Sequence, residues 1–321
     1  KAIESNPKFA DAHYNLGNIL KDLGRLEEAE ISCRKAIKLK PNYATAHYNL
    51  GNILSDLKRI EEAEISYREA IKLKPDYAKA HLNLGSLFKN FYKYKEAINP
   101  YQKAIKLDSN LSSAKSELIS TRRIICDWEH EDTENHWLES LGIEGSAINP
   151  GVLFALEDNP FKDLKRSQNL YQEFFIRKEG KINSLNNEKI HIGYFSSDFR
   201  AHPTMYLISS ILKLHDKSKF EIYLYSFTPK EDEYTKIVKN CGCIFRDIKT
   251  LNDIEAVELA KQDKLNIAID LNGYIINNRM SIFSYRVAPI QINYLGFPGS
   301  VGSDCIDYIL ADSITIPEKY E

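Results

Sequence analysis

A chain of 321 residues has room for about two domains. Apolar residues make up 43% and charged residues 27%, a balance that excludes a mainly disordered or collagen-like chain. The net charge is −2, and neither half carries the concentrated basic footprint of a nucleic-acid binder: residues 1–110 have 19 basic and 14 acidic side chains, leaving 24 and 31 for the rest. No run of 18 apolar residues offers a membrane span. Five scattered cysteines, Cys33, Cys126, Cys241, Cys243 and Cys305, do not read as a disulfide framework. Only Cys241 and Cys243 are close, and a C-x-C without further ligands at spacing lacks the four donors that zinc needs.

The N-terminal part repeats with a period of 34 residues. A segment beginning at Asp11 recurs from Thr45 and again from Lys79, which sets His13, His47 and His81 in phase, with Gly17, Gly51 and Gly85, Ala29, Ala63 and Ala97, and Pro7, Pro41 and Pro75. Apolar residues at helical spacing in each copy give a face that one helix pair cannot bury alone. The copies resemble tetratricopeptide repeats, two antiparallel helices per unit. The small Gly17 and Ala29 series lets paired helices approach closely, proline ends each second helix, and the histidines read as packing or surface residues. Asn15, Asn49 and Asn83 recur on the first helix of every unit. An amide both donates and accepts, so this row either holds the backbone of an extended polypeptide on the concave face or ties neighbouring helices together. The chain starts at Lys1, and Lys1–Asn6 matches the tail of a repeat's second helix, so the expectation is an N-terminus cut within a longer solenoid.

The repeat fades after Leu107. Residues 112–126 read as a last helix, giving a repeat region over 1–126. Residues 127–189 read as a transition region and linker, with short helices near 151–158 and 166–178 and a polar stretch at 181–189. From Ile190 the periodicity changes. Strand-length apolar runs occur at 190–196, 220–227, 243–248, 266–271, 290–295 and 306–311, with helical segments at 204–216, 230–240, 253–264 and 279–286. Such alternation predicts a Rossmann-like doubly wound parallel sheet over 190–321, whose ligands bind beyond the carboxyl ends of the strands. The loops to watch are 196–203, 272–278 and 296–302. The first carries His202 before Pro203, a favoured first residue of a helix; a histidine there either caps the helix or works on a substrate. The third, with three glycines, is either a tight turn or a close backbone approach to a ligand. No G-x-S-x-G elbow, P-loop, H-E-x-x-H or G-x-G-x-x-G motif is present, nor an Asp-x-Asp metal–diphosphate pair.

Taken together, these segments resemble the O-linked N-acetylglucosamine transferase and SPINDLY family of protein glycosyltransferases. The resemblance rests on IICDW (124–128), HIGYFSSDFRAHPT (191–204), DLNGY (270–274) with Arg279 and Phe283, RVAPIQINYLGFPGSVG (286–302) and DYILAD (307–312). The sequence departs from the family pattern at Val287, Ile275 and Ser300. The resemblance implies a tetratricopeptide solenoid followed by the first lobe of a GT-B type enzyme. It implies an inverting enzyme that moves N-acetylglucosamine from UDP-N-acetylglucosamine to Ser or Thr hydroxyls of polypeptides, with no metal ion and no resident cofactor, acting in the cytoplasm. His202 matches the family's catalytic histidine and Asp263 a carboxylate proposed as base. Gly299 and Ser300 would meet the donor sugar, and Asn15, Asn49 and Asn83 the acceptor polypeptide. The family's second lobe, with its diphosphate-facing lysine, is expected beyond PEKYE, so the stretch 1–321 is expected to be inert alone. The alternatives are an O-fucosyltransferase using GDP-fucose and a non-catalytic repeat-based binding module.

Overall fold

The structure is a computed structural model that describes residues 6–154, 156–175, 187–275 and 277–312. The chain forms two compact units, Lys1–Ser146 and Ala147–Glu321. The stretch read as a transition region, 127–189, is therefore shared between them. The readings of Lys1–Asn6, of the linker at 181–189 and of the PEKYE tail fall largely or wholly outside the described residues.

The first unit consists of helix pairs. α1 (Ala10–Asp22) and α2 (Leu26–Leu39), α3 (Ala44–Asp56) and α4 (Ile60–Leu73), and α5 (Ala78–Asn90) and α6 (Tyr94–Leu107) follow one another at the sequence period. α7 (Ser112–Ile124) closes the series, and α8 (Glu131–Leu138) lies where the sequence looked irregular. Pair packing comes from the small residues. A Cβ at Gly51 would stand 2.7 Å from the Tyr67 ring, one at Gly85 2.7 Å from Tyr101, and one at Gly17 2.6 Å from Cys33 Sγ. Each glycine thus makes room for the bulky residue of the second helix, while Ala29, Ala63 and Ala97 are fully buried. The in-phase histidines close the turns: the ring Nε2 of His13, His47 and His81 lies 3.0, 3.1 and 3.3 Å from the carbonyl oxygens of Pro7, Pro41 and Pro75.

The second unit begins with a short 3-10 turn (Pro150–Val152) and α9 (Pro160–Phe174). Asn159 caps α9 by accepting from Lys162 N at 3.1 Å, with Pro160 in the first helical position, the arrangement expected of Asn-Pro at a helix start. The strands are β1 (Ile190–Ser196), β2 (Phe220–Ser226), β3 (Ile244–Asp247), β4 (Ile267–Asp270), β5 (Ile290–Tyr294) and β6 (Tyr308–Leu310). Between them run α10 (Pro203–Leu214), α11 (Glu233–Lys239), α12 (Asp253–Gln262) and α13 (Met280–Ser284). All strand pairs are parallel, in the order β3-β2-β1-β4-β5-β6, the doubly wound order whose switch point lies between β1 and β4. Alternate strand residues feed opposite faces. Ile192, Tyr194, Ile222 and Leu224 join one core with Met205, Ile208 and Leu212 of α10. Phe195, Tyr225 and Ala268 join the other with Ala256 and Val257 of α12 and Phe283 of α13. The six strands of the sequence reading are all present, each trimmed by at most a few residues at its ends. Among the described residues no helix is long and apolar enough to cross a membrane, and no group of three His, Cys, Asp or Glu is placed to hold a metal ion.

Candidate active site at the carboxyl ends of β1, β4 and β5

Register places Phe195, Asp270 and Asn293 abreast on β1, β4 and β5, so the loops that follow leave the sheet side by side. The first loop is tied to the second by buried polar groups. Ser197 N donates to Asn272 Oδ1 at 3.1 Å, and Asn272 Nδ2 donates to Ser197 Oγ at 2.7 Å and to Asp198 Oδ2 at 3.4 Å. Asp198 is almost fully buried. It accepts from Ser197 Oγ at 3.0 Å and from the Arg200 guanidinium at 3.2 and 3.3 Å. Ala201 N donates at 2.7 Å to Asp232, which also caps α11, so the loop is pinned at both ends.

His202 sits at the end of this loop with about a third of its side chain exposed. It is the N-cap of α10: Nδ1 accepts from Thr204 N at 3.3 Å and lies 3.2 Å from Thr204 Oγ1. Both readings of a histidine before Pro203 therefore meet in one residue. With Nδ1 accepting the cap bond, the neutral ring carries its proton on Nε2 and offers a donor there. With the proton on Nδ1, where Thr204 Oγ1 at 3.2 Å can accept it and the Asp198 carboxylate stands 3.9 Å away, Nε2 becomes an acceptor. The loop supports either tautomer, and the carboxylate four residues before the histidine is the group that favours the second. Sequence reasoning singled out the loop but not Asp198 or Asn272. The signal was there: a carboxylate at i−4 from a loop histidine, and an amide two residues past the end of a neighbouring strand.

From Asn272 the network reaches β5. Asn272 N and Gly273 N donate to Asp270 at 3.0 and 2.9 Å, and Asn293 Nδ2 donates to Asp270 Oδ2 at 3.1 Å. Full burial pushes the Asp270 carboxyl up to about 6, against the lowering effect of these donors. The third loop is held against the second by backbone contact: a Cβ at Gly296 would fall 1.7 Å from Leu271 O, so glycine is required there. Tyr274 Oη donates to Val301 O at 2.6 Å, and its ring stands against Phe297. Gly299 lies beside the Phe154 and Phe297 rings. Ser300 is exposed, its Oγ accepting from Gly302 N at 3.1 Å. It borders a small cavity of about 190 Å³ with Asn293, whose Oδ1 is buried without a partner among the described residues. His202, Gly299 and Ser300 thus all stand in loops at the carboxyl end of the sheet.

Asp263 does not join them, which corrects its reading as a base. It caps the far end of α12, and its carbonyl accepts from His191 Nδ1 at 2.8 Å, next to the start of β1. Its buried carboxylate takes a bidentate pair from Arg246 at 2.6 and 3.0 Å and a bond from Tyr225 Oη at 2.6 Å. Both of its carboxylate oxygens are thus engaged by the fold. Arg279 is likewise structural, donating to Asp253, Ile248 O and Leu251 O.

In the repeats, Asn49 Nδ2 donates to Asn18 Oδ1, and Asn83 Nδ2 to Asn52 Oδ1 at 2.8 Å and Tyr48 Oη at 3.0 Å. The ladder amides do tie adjacent repeats together, through a second in-phase row (Asn18, Asn52, Ser86) that sequence reasoning passed over. The carbonyl oxygens of Asn49 and Asn83 accept no bond among the described residues, and Asn15 is exposed.

Fold and site together define a tetratricopeptide-repeat protein with a Rossmann-type lobe. Residues 164–321 match the model of Glycosyl transferase family 41, and residues 10–43, 44–77 and 78–111 match tetratricopeptide-repeat models. A Caenorhabditis elegans protein named UDP-N-acetylglucosamine–peptide N-acetylglucosaminyltransferase is 37% identical over 134 residues, 41% of this chain and 12% of that protein. A SPINDLY relative from Oryza sativa is 31% identical over 192 residues, 55% of this chain and 21% of that protein. The solved structure of a Thermobaculum terrenum O-GlcNAc transferase mutant aligns with a TM-score of 0.56 at 22% identity, over 97% of this chain and 55% of that one, a likeness of fold. The chain is thus a tetratricopeptide-repeat protein similar to the O-linked N-acetylglucosamine transferase/SPINDLY proteins. The matched stretches span less than a quarter of these two sequence relatives' length.

Proposed function

We propose that the chain supplies the acceptor-binding repeats and the first lobe of an inverting protein O-glycosyltransferase that uses UDP-N-acetylglucosamine. The observation that carries this reading is His202, seated at the switch point of a family 41 lobe, on a loop fixed by Asp198, Asn272 and Asp232. In the reaction an acceptor hydroxyl forms a bond to the anomeric carbon. The bond from that carbon to the diphosphate oxygen breaks, and the electron pair leaves with the diphosphate. A hydroxyl near pKa 15 needs a proton acceptor as it attacks. His202 Nε2 fills that role when Nδ1 holds its proton against Thr204 and Asp198, and in the other tautomer it orients the hydroxyl instead. The backbone of Gly299 and the exposed Ser300 flank the donor sugar. The polypeptide lies along the concave face of the repeats, with the side-chain carbonyl oxygens of the Asn15, Asn49 and Asn83 row accepting its amide N–H groups. The reaction needs no metal ion or resident cofactor in this reading, and its setting is the cytoplasm.

The test is transfer of labelled N-acetylglucosamine to a Ser/Thr peptide by the full-length protein, with His202→Ala beside wild type and GDP-fucose as competing donor. A loss of about 10²-fold or more at unchanged peptide affinity supports the reading. Equal transfer by His202→Ala removes the site assignment, and transfer of fucose alone replaces the donor. Replacing Asn15, Asn49 and Asn83 together by Ala should weaken peptide binding at least about tenfold, and unchanged affinity puts the acceptor elsewhere.

A further inference from the structure

The close cysteine pair has no part in the glycosyl-transfer reading, yet its surroundings are those of a reactive dithiol. Cys241-Gly242-Cys243 forms the turn between α11 and β3, and both thiols are free and only partly buried. Gly242 has φ +80, and a Cβ there would lie 2.4 Å from Lys217 Nζ. The turn thus places an ammonium group directly over the peptide that joins the two cysteines. The neighbouring Cys243 thiol, backbone N–H groups of the turn and the Lys217 charge together favour the thiolate of Cys241 and hold it well below the ordinary thiol range. Cys243, pushed up by its neighbour and by burial, keeps its proton and donates it to Leu212 O at the end of α10, 4.0 Å away. Two Cα–Cα steps of about 3.8 Å cap the separation of the two cysteines at about 7.6 Å, and a bend at the left-handed Gly242 shortens it toward the span a disulfide bridges.

We propose that Cys241 and Cys243 form a peroxide-oxidisable dithiol, a reversible modification site on the face of the lobe that carries α10 and α11. Cys241 as thiolate attacks one oxygen of hydrogen peroxide. The O–O bond breaks, hydroxide leaves and takes up a proton as water, and Cys241 becomes a sulfenic acid. Cys243 sulfur then attacks Cys241 sulfur. The S–O bond breaks, the departing hydroxide takes the Cys243 proton, and a second water leaves. Two thiols are oxidised by two electrons and one peroxide is reduced to two waters. The bridge, closed over a three-residue turn, belongs to the strained and readily reduced class, so a dithiol reductant restores the pair.

Exposed Cys126 is the internal control, since exposure alone would make it react first. The full chain is treated with limiting hydrogen peroxide, digested and mapped by mass spectrometry, with dimedone present in a parallel reaction. The expected product is a Cys241–Cys243 peptide two hydrogens lighter, formed while Cys126 is still alkylatable and reversed by dithiothreitol. In Cys243→Ser the sulfenic acid has no partner, and dimedone should trap it on Cys241. Lys217→Gln, an exposed substitution, should slow oxidation about three- to tenfold. Oxidation of Cys126 before the pair, dimedone absent from Cys241 in a folded Cys243→Ser protein, or an unchanged rate in Lys217→Gln would each overturn the proposal.

Discussion

Asp263→Asn separates a structural carboxylate from a catalytic one. The carboxylate is 8% exposed and its partner Arg246 35% exposed. An asparagine keeps one acceptor and turns an N–H toward a guanidinium N–H, so one of the two charge-assisted bonds becomes a repulsion. Hydrogen bonds to charged groups are worth about 1.5–3 kcal/mol each, and removing one side of a fully buried pair costs about 3–5. Because Arg246 regains water at its exposed edge, the expected cost falls near the lower limit, about 2 kcal/mol. In a unit of this size that lowers the melting temperature by roughly 4–8 °C. Thermal unfolding followed by circular dichroism reads this directly. Transfer by the full-length variant, measured well below its melting point, should stay within about threefold of wild type. A transfer loss of about 10²-fold with unchanged melting would refute the placement of Asp263 in the fold rather than in the chemistry.

Three further outcomes follow from the same geometry. Gly51→Ala drives a methyl into the Tyr67 ring and should cost about 1–3 kcal/mol, read as a lower urea midpoint of the repeat unit. Asp270 has its folded pKa raised to about 6, so the folded state holds a proton that the unfolded chain releases near 3.8. Its stabilising contribution is complete below that lower value and fades as pH rises through about 6. It amounts to up to about 3 kcal/mol, and the stability difference between wild type and Asp270→Asn should therefore change across pH 4 to 7; a constant difference contradicts the buried-acid reading. His202→Ala also removes the N-cap of α10 and should cost about 0.5–1 kcal/mol, small enough for the variant to remain folded in the transfer assay.

Most of the fold was legible because its signals are local. The 34-residue period fixes helix pairs, and strand-length apolar runs between helical segments fix a parallel sheet, so β1 to β6 and the loops beyond them were placed from the sequence. α8 was not, because Glu131–Leu138 is acidic and shows no apolar stripe; its Glu134 is buried only through pairing with Arg122, a contact that no periodicity announces. The site was legible to the level of loops and one histidine. Asp198, Asn272 and Asn293 escaped because what brings them together is strand order across β1, β4 and β5, a tertiary fact. Asp263 was misplaced for the converse reason: a carboxylate at a helix end looks exposed in one dimension, whereas Arg246 and Tyr225 reach it from β3 and β2. The asparagine row could not be resolved from spacing, since Asn49 and Asn83 serve inter-repeat bonding with their nitrogens while their oxygens accept no bond among the described residues.

The most direct test of the central reading is transfer from UDP-N-acetylglucosamine by the full-length protein, comparing wild type, His202→Ala and Asp198→Asn at matched folded fractions. The predicted result is near-complete loss for His202→Ala and an intermediate loss for Asp198→Asn, peptide affinity being unchanged in both. Undiminished transfer by His202→Ala would contradict the assignment of the reacting centre to the loop that joins β1 to α10.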